Sequence, residues 1–372
     1  MPNKILLNIL KGTFRLIYCF DRRKPDFKPS EVYNILIINT TAIGDTLLST
    51  PAIRAIRQGF PDARIAVLAS NAAKEVLLNN PNINEIIDYP GRVDFFYIFK
   101  LPGLLLKIRR GNFDLVVIMH ANDPDAAPLA YLSGASHRMG WKESRLAFLH
   151  TMPVKTRVAG MHVIDIRLKN LEILGIKADN RRTDFFLSDK EKKWAERFIV
   201  ESGFENKIFI GIHPFGSKIN KWWPSANVIE FCKMVEEKHG WWVIIFGGKK
   251  EHPFALDMIN KTTNVISAAG RCGIRESAAL IERCRVFIST DSGPMHMANA
   301  LNIPLIALFG PDDPMGTGPL MQPYEIIQKN LSCIPCRLKT CDRGIECMQE
   351  ITAEDVIIPM ERLLKNKGAI VV

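Results

Sequence analysis

Short, wholly apolar runs separated by stretches of helical spacing recur twice along this chain. In the first half, segments 35–39, 64–69, 86–88 and 115–119 predict strands, and 51–58, 72–78 and 104–110 predict helices. Phe60-Pro61 ends the first of these helices. The second half repeats the order, with strands at 208–212, 242–246, 285–289 and 305–309. Its helices fall at 225–238, opened by Ser225 read as an N-cap, at 276–283, from Pro294 onward, and over about 353–365. Strands this short and uniformly apolar are buried on both faces, as in parallel sheets covered by helices. The expectation is an α/β protein of two doubly wound parallel-sheet domains. Ser188-Asp189-Lys190-Glu191 reads as a capping box, and the domain boundary is set just before it. The layout is an extension and linker over 1–30, a first domain over 31–186 and a second over 187–350. A C-terminal helix and tail, 351–372, is expected to pack back toward the first domain. Doubly wound sheets bind ligands beyond the carboxyl ends of their strands, so a cleft between the domains at those ends is the expected site.

The 372 residues suffice for two cores, and 47% apolar with 24% charged content is ordinary for a globular protein. A formal charge of +10 favours an anionic partner. Nucleic acid is the least supported, because no basic run with interleaved aromatics and no zinc-finger or RNP pattern occurs. In the first twenty residues Lys4, Asn8, Lys11 and Arg15 share one helical stripe, with Ile5, Leu6, Ile9, Leu10, Phe14 and Ile17 around it. Charges interrupt this run too often for a span. It reads either as an in-plane helix on an anionic membrane or as a helix packed on the protein body. Residues 21–30, with Pro25 and Pro29, read as a linker.

Cys19, Cys232, Cys272 and Cys284 sit among apolar neighbours and read as core thiols of a protein kept inside the cell. Cys333, Cys336, Cys341 and Cys347 follow the spacing C-x2-C-x4-C-x5-C. Four soft ligands so close could hold one structural zinc; free thiols or a disulfide are the alternatives.

The candidate chemistry lies just after strands. After 35–39 comes Asn39-Thr40-Thr41-Ala42-Ile43-Gly44-Asp45, where Gly44 suits a tight turn. Asp45 is a general base, an acceptor for a substrate hydroxyl, or a helix cap. After 208–212 comes His213-Pro214-Phe215-Gly216-Ser217-Lys218-Ile219-Asn220-Lys221-Trp222-Trp223-Pro224. Its glycine, Ser217 and lysines suit phosphate contact, while its tryptophans suit packing. After 242–246, Gly247 and Gly248 let a ligand approach the backbone, and Glu251 either accepts from sugar hydroxyls or complements a helix dipole. After 285–289, Asp291-Ser292-Gly293-Pro294-Met295-His296 opens a helix whose unpaired N–H groups attract anions. This is a cradle for a diphosphate. No G-x-G-x-x-G or Walker loop is present, which argues against nicotinamide cofactors and P-loop hydrolysis.

Taken together, Gly44-Asp45-Thr46-Leu47-Leu48-Ser49-Thr50-Pro51-Ala52-Ile53-Arg54, Lys221-Trp222-Trp223-Pro224, Phe246-Gly247-Gly248 with Glu251, Asp291 through His296, and Leu308-Phe309-Gly310-Pro311 resemble glycosyltransferase family 9. These are the ADP-heptose:lipopolysaccharide heptosyltransferases, and the resemblance runs from about residue 34 to 360. The cysteine cluster is similar to one seen in many members. The resemblance implies a GT-B architecture and an inverting transfer that requires no metal or other cofactor. It implies Asp45 as the base on the acceptor hydroxyl and Lys221 as the charge that neutralises the departing ADP diphosphate. Ser292, Gly293 and Pro294 would assist Lys221. Glu251 would contact the nucleotide or sugar, Asp291 the heptose hydroxyls, and His296 would reach the phosphates or support the loop. The stretch 213–221 lacks the Thr-Thr pair of some heptosyltransferases.

A phosphorylated lipid core as acceptor would be met by Arg54, Arg57, Arg138, Lys142 or Arg145; solvated basic positions are the alternative. The leading reading is a cytoplasmic transferase, peripheral at the inner membrane, adding heptose from an ADP-sugar to the lipopolysaccharide inner core or a lipid A precursor. The same fold with a UDP- or GDP-sugar, and a non-catalytic sugar-nucleotide binder, are the other two readings.

Overall fold

The apolar runs form two separate parallel sheets in a computed structural model that describes residues 12–16, 26–91, 97–120, 125–144, 146–155, 158–336, 341 and 343–366. The chain divides into two compact units, 1–180 and 181–372. In the first, strands β1 (Asn34–Asn39), β2 (Arg64–Ala69), β3 (Glu85–Asp88), β4 (Leu115–Ile118), β5 (His137–Trp141) and β6 (Met152–Val154) lie in the order β3-β2-β1-β4-β5-β6. In the second, β7 (Phe209–His213), β8 (Trp242–Ile245), β9 (Val265–Ser267), β10 (Val286–Thr290), β11 (Leu305–Phe309) and β12 (Tyr324–Gln328) lie in the order β12-β11-β10-β7-β8-β9. Counted from its own first strand, each sheet runs 3-2-1-4-5-6, the doubly wound order. The winding reverses between β1 and β4 and between β7 and β10, which pair in register as Ile35 with Leu115 and as Ile210 with Val286. At these two places the crossovers leave to opposite faces and open a crevice beyond the strand ends.

The central strands are buried throughout, as Ile35, Leu36, Ile37, Ile210 and Ile212 illustrate. The elements absent from the pattern are mostly short or partly polar. The edge strand β6 carries Pro153, tolerated where no neighbour needs its N–H. Strand β12 is half-exposed along its length. The helix expected over 104–110 spans Tyr97–Arg110 and continues through an exposed Pro102.

One expectation, the cap of a helix, is corrected. Helix Ser225–His239 is capped by Pro224 in an extended conformation, with Ser225 as its first helical residue. The helix ends at Gly240, whose φ of +64° suits glycine. The unit boundary falls at 180/181 rather than 186/187. Its physical reason is Arg275, which donates to the Phe186 carbonyl at 2.6 Å and lies over the Phe185 ring. The terminal helix Ala353–Asn366, expected to pack back on the first domain, buries Val356, Ile357, Met360, Leu363 and Leu364 in the core of the second unit. There it meets Val228, Phe231 and Cys232, and Trp223 Nε1 donates to the Ile351 carbonyl at 2.8 Å.

The capping box is present: Ser188 N–H donates to Glu191 Oε2 at 2.6 Å and opens helix Asp189–Glu201. Most of the expected N-terminal amphipathic helix and Cys19 lie outside the described residues. Within the turn that is described, Phe14 is buried edge-on against Tyr131 beside Leu146 and Leu149, so this part packs on the first unit. Leu16 is exposed.

Candidate functional site

In the first unit, the end of β1 is pinned by its own polar side chains. The buried Asn39 accepts from Thr41 Oγ1 at 2.7 Å, and Thr46 Oγ1 donates to the Ala42 carbonyl at 2.9 Å. The turn leads into helix Ile43–Leu47, capped by Ala42. Gly44 is therefore helical rather than the pivot of a tight turn, and it is not among the glycines of positive φ. Asp45 is not a cap either: it lies within the helix, with its side chain 40% exposed.

Two groups that the sequence did not single out face its carboxylate. His120, just past β4, places Nε2 3.7 Å from Asp45 Oδ2. Arg167, from helix Val163–Asn170, places Nη2 3.8 Å from Oδ1 and donates from Nη1 to the Asp45 carbonyl at 3.2 Å. Arg167 is buried, and its Nε has no hydrogen-bond partner among the described residues. Burial brings its pKa down to about 10 against the opposing pull of Asp45, so it stays charged. Burial also lowers the pKa of His120, Asp45 opposing and Arg167 adding to the effect. An imidazole and a buried guanidinium thus flank one half-exposed carboxylate and hold it from two sides.

The basic residues expected to meet an acceptor fare differently. Arg138 is fully buried and donates to the carbonyls of Leu149 at 2.8 Å and Ala135 at 2.6 Å, so it serves the core and is withdrawn as an acceptor contact. Arg57 is likewise corrected: its guanidinium donates to the Pro61 and Ala63 carbonyls at 2.9 and 2.7 Å, closing the end of helix Thr50–Gly59. Arg54 donates to the Asn180 carbonyl at 3.1 Å. Lys142 is exposed just past the carboxyl end of β5. Arg145 lies outside the described residues.

In the second unit, the loop after β7 folds around Gly216, where an added Cβ would lie 2.6 Å from Lys221 Cβ. The tryptophans pack: Trp223 is buried, and Trp222 donates to the Gly216 carbonyl at 3.0 Å and stands edge-on to Phe215 and Phe254. Thr290 Oγ1 ties the end of β10 to this loop through the Phe215 carbonyl at 2.8 Å. Lys221 is held between two carboxylates, with Nζ 2.6 Å from Asp291 Oδ2 and in contact also with Asp312 Oδ2. Burial works to lower its pKa, but the two carboxylates outweigh this and the net shift is upward. Asp291 is raised by burial and by Asp312 against the pull of Lys221. The expected sugar-binding Asp291 is thus engaged by the lysine through Oδ2.

Beside this cluster Ser292 precedes helix Gly293–Ala300, and its Oγ meets His213 Nδ1 at 3.1 Å. Burial takes His213 down to about 4, so it is neutral at physiological pH. His296 is buried in the same helix and Ser217 is exposed. Glu251 Oε2 accepts from Gly248 N–H at 2.9 Å, closing the loop after β8. A Cβ on Gly247 would meet the Phe215 ring at 3.0 Å, whereas one on Gly248 would meet only the movable end of Glu251.

Cys333, Cys336, Cys341 and Cys347 line one cavity and are free thiols. Burial raises the Cys347 pKa, and the other three thiols add to it. Among the described residues, no group of three or more histidine, cysteine, aspartate or glutamate side chains is arranged to hold a metal ion.

Both polar constellations stand where the winding reverses, and comparison with known proteins places the chain. The family model described as Glycosyltransferase family 9 (heptosyltransferase) matches residues 104–345. The chain belongs to glycosyltransferase family 9. Lipopolysaccharide heptosyltransferase 3 of Escherichia coli is 30% identical over 86% of this chain and 95% of its own. Two solved structures share the fold. The family 9 glycosyl transferase of Veillonella parvula has a TM-score of 0.77 and 24% identity over 90% of this chain and 97% of its own. ADP-heptose lps heptosyltransferase II of E. coli has a TM-score of 0.73 and 23% identity over 90% and 100%. As a family 9 member the chain is a glycosyltransferase of GT-B architecture, two Rossmann-like domains each built on one parallel sheet.

Proposed function

We propose that this glycosyltransferase transfers heptose from ADP-heptose to the lipopolysaccharide inner core. The observation that carries the reading is Lys221, held at the switch point of the second sheet beside the start of helix Gly293–Ala300. A lysine beside the positive end of a helix dipole suits a diphosphate leaving group. Two relatives support the sugar and the acceptor: one is named for lipopolysaccharide heptosyl transfer and the other for ADP-heptose.

In the proposed step Asp45 takes the proton from an acceptor hydroxyl. The hydroxyl oxygen bonds to the anomeric carbon as the bond from that carbon to the β-phosphate oxygen breaks, and ADP departs with the electron pair. A single displacement inverts the anomeric centre. Lys221 compensates the charge that develops on the diphosphate, so the step invokes no metal or other cofactor. Arg167 and His120 hold the Asp45 carboxylate toward the acceptor. Glu251, Ser217, His296 and the amides of Ser292 and Gly293 are assigned to the donor, and Arg54 and Lys142 to acceptor phosphates.

The acceptor is lipid-anchored in this reading, which places the enzyme at the cytoplasmic face of the inner membrane as a peripheral protein. Its support is the net charge of +10 and the apolar and basic pattern of the first twenty residues. Among the described residues no helix is long and apolar enough to cross a membrane.

The test is transfer from ADP-heptose to lipopolysaccharide truncated before its heptoses, read as the mass of one added heptose, with and without a chelator. The expected result is transfer that survives chelation and is lost in Asp45→Ala. Transfer from a UDP- or GDP-sugar but not from ADP-heptose would overturn the donor assignment.

A further inference from the structure

We propose that Asp312 is a displaceable counter-ion for Lys221, paired with it while no donor is bound and exchanged for the donor's diphosphate on binding. The inference rests on the reading of Lys221 as the leaving-group lysine. Lys221, Asp291 and Asp312 together carry one positive and two negative charges. The neighbouring His213 is neutral. A diphosphate entering this cluster meets a net negative charge, and its attraction to Lys221 is opposed by two carboxylates already in contact with it. Releasing one of them from the lysine removes most of that opposition.

The surroundings decide which. Asp291 is 14% exposed, and its backbone N–H is fixed to the Leu308 carbonyl at 3.1 Å at the end of β10. Turning its carboxylate away from Lys221 would strand a charge in a poorly solvated place. Asp312 is 43% exposed and can rotate its carboxylate into water. Its backbone stays put as it does so, because Gln328 Nε2 donates to the Asp312 and Gly310 carbonyls at 2.7 and 3.1 Å. Asp312 therefore lowers affinity for diphosphates by competing for Lys221. It also keeps the lysine in place when the site is empty.

The experiment is a titration of wild-type protein and of Asp312→Asn with ADP, UDP, GDP, inorganic pyrophosphate and adenosine. Removing one negative charge next to the lysine should tighten diphosphate binding about five- to thirty-fold at low salt. Adenosine binding should not change. The gain should shrink as ionic strength rises, because Asp312 is half-exposed. It should vanish when Lys221 is also replaced by Met, since the two residues act through one contact. Diphosphate binding that is unchanged or weaker in Asp312→Asn, or an equal gain for adenosine, overturns the proposal. A gain confined to UDP or GDP and pyrophosphate would keep the counter-ion and discard the ADP donor. Absence of any diphosphate binding in both proteins would overturn both readings.

Discussion

The two units use one winding order and the same switch point, yet they fill that point with opposite charge patterns. Past β1 and β4, one half-exposed carboxylate is faced by a buried guanidinium and an imidazole. Past β7 and β10, one mostly buried ammonium is clamped by two carboxylates, and the adjacent Ser292 meets a neutral histidine. The scaffold thus fixes where polar groups gather, and in the proposed reaction side chains from the flanking loops and helices decide which half handles a proton and which a phosphate. Because each reactive group has a counter-charge supplied by a different element, its position depends on tertiary contacts more than on its own loop.

The comparison is broken most severely at the two reactive groups. Asp45→Asn should lower the transfer rate about 10²- to 10⁴-fold, the contribution typical of a general base, measured as single-turnover kcat with saturating ADP-heptose. Lys221→Met should lower the rate about 10²- to 10³-fold, in line with loss of one preorganised leaving-group contact. The smaller changes sharpen the comparison. Arg167→Met should leave ADP affinity unaltered while lowering kcat about ten- to a hundred-fold, because Asp45 loses the group that holds it. Partial recovery in Arg167→Lys would separate this role from simple packing.

Acid tests one imidazole of each unit by stability. The pKa values of His213 and His150 fall from 6.5 to about 4 on burial. Each folded-state value is depressed, so the unfolded chain binds more protons between pH 6.5 and pH 4. The associated stability is fully present above pH 6.5 and is lost as pH falls through this window, up to roughly 3 kcal/mol per residue. Denaturant unfolding at a series of pH values, with a shallower slope in His213→Asn, checks it. The smallest effect is expected at Gly216→Ala, whose new methyl would press on Lys221 Cβ. It should weaken ADP binding a few-fold, about 1 kcal/mol of displaced packing.

The sequence was legible where one strand and its following loop contain the information. The central strands, the capping box at Ser188 and the post-strand segments holding Asp45, Lys221 and Asp291 could all be read from apolar runs ending in polar stretches. Edge strands β6, β9 and β12 could not, since they are short and partly exposed and so lack a clean period. Asp312 and His120 did carry a signal, because each lies just past a strand end. Arg167 carried none: it comes from a helix distant in sequence, and only the packed unit brings it to Asp45. Arg138 shows the opposite failure, a charge that looked solvent-facing in sequence and proves to be a core residue satisfied by carbonyls. Partners contributed by tertiary packing leave no local period to read.

The division of labour between the two half-sites is tested most directly by titrating ADP into Asp45→Asn and Lys221→Met side by side. The account predicts wild-type affinity in the Asp45 variant and a loss of about ten-fold or more in the Lys221 variant. Equal weakening in both, or unimpaired ADP binding by the Lys221 variant, would contradict it.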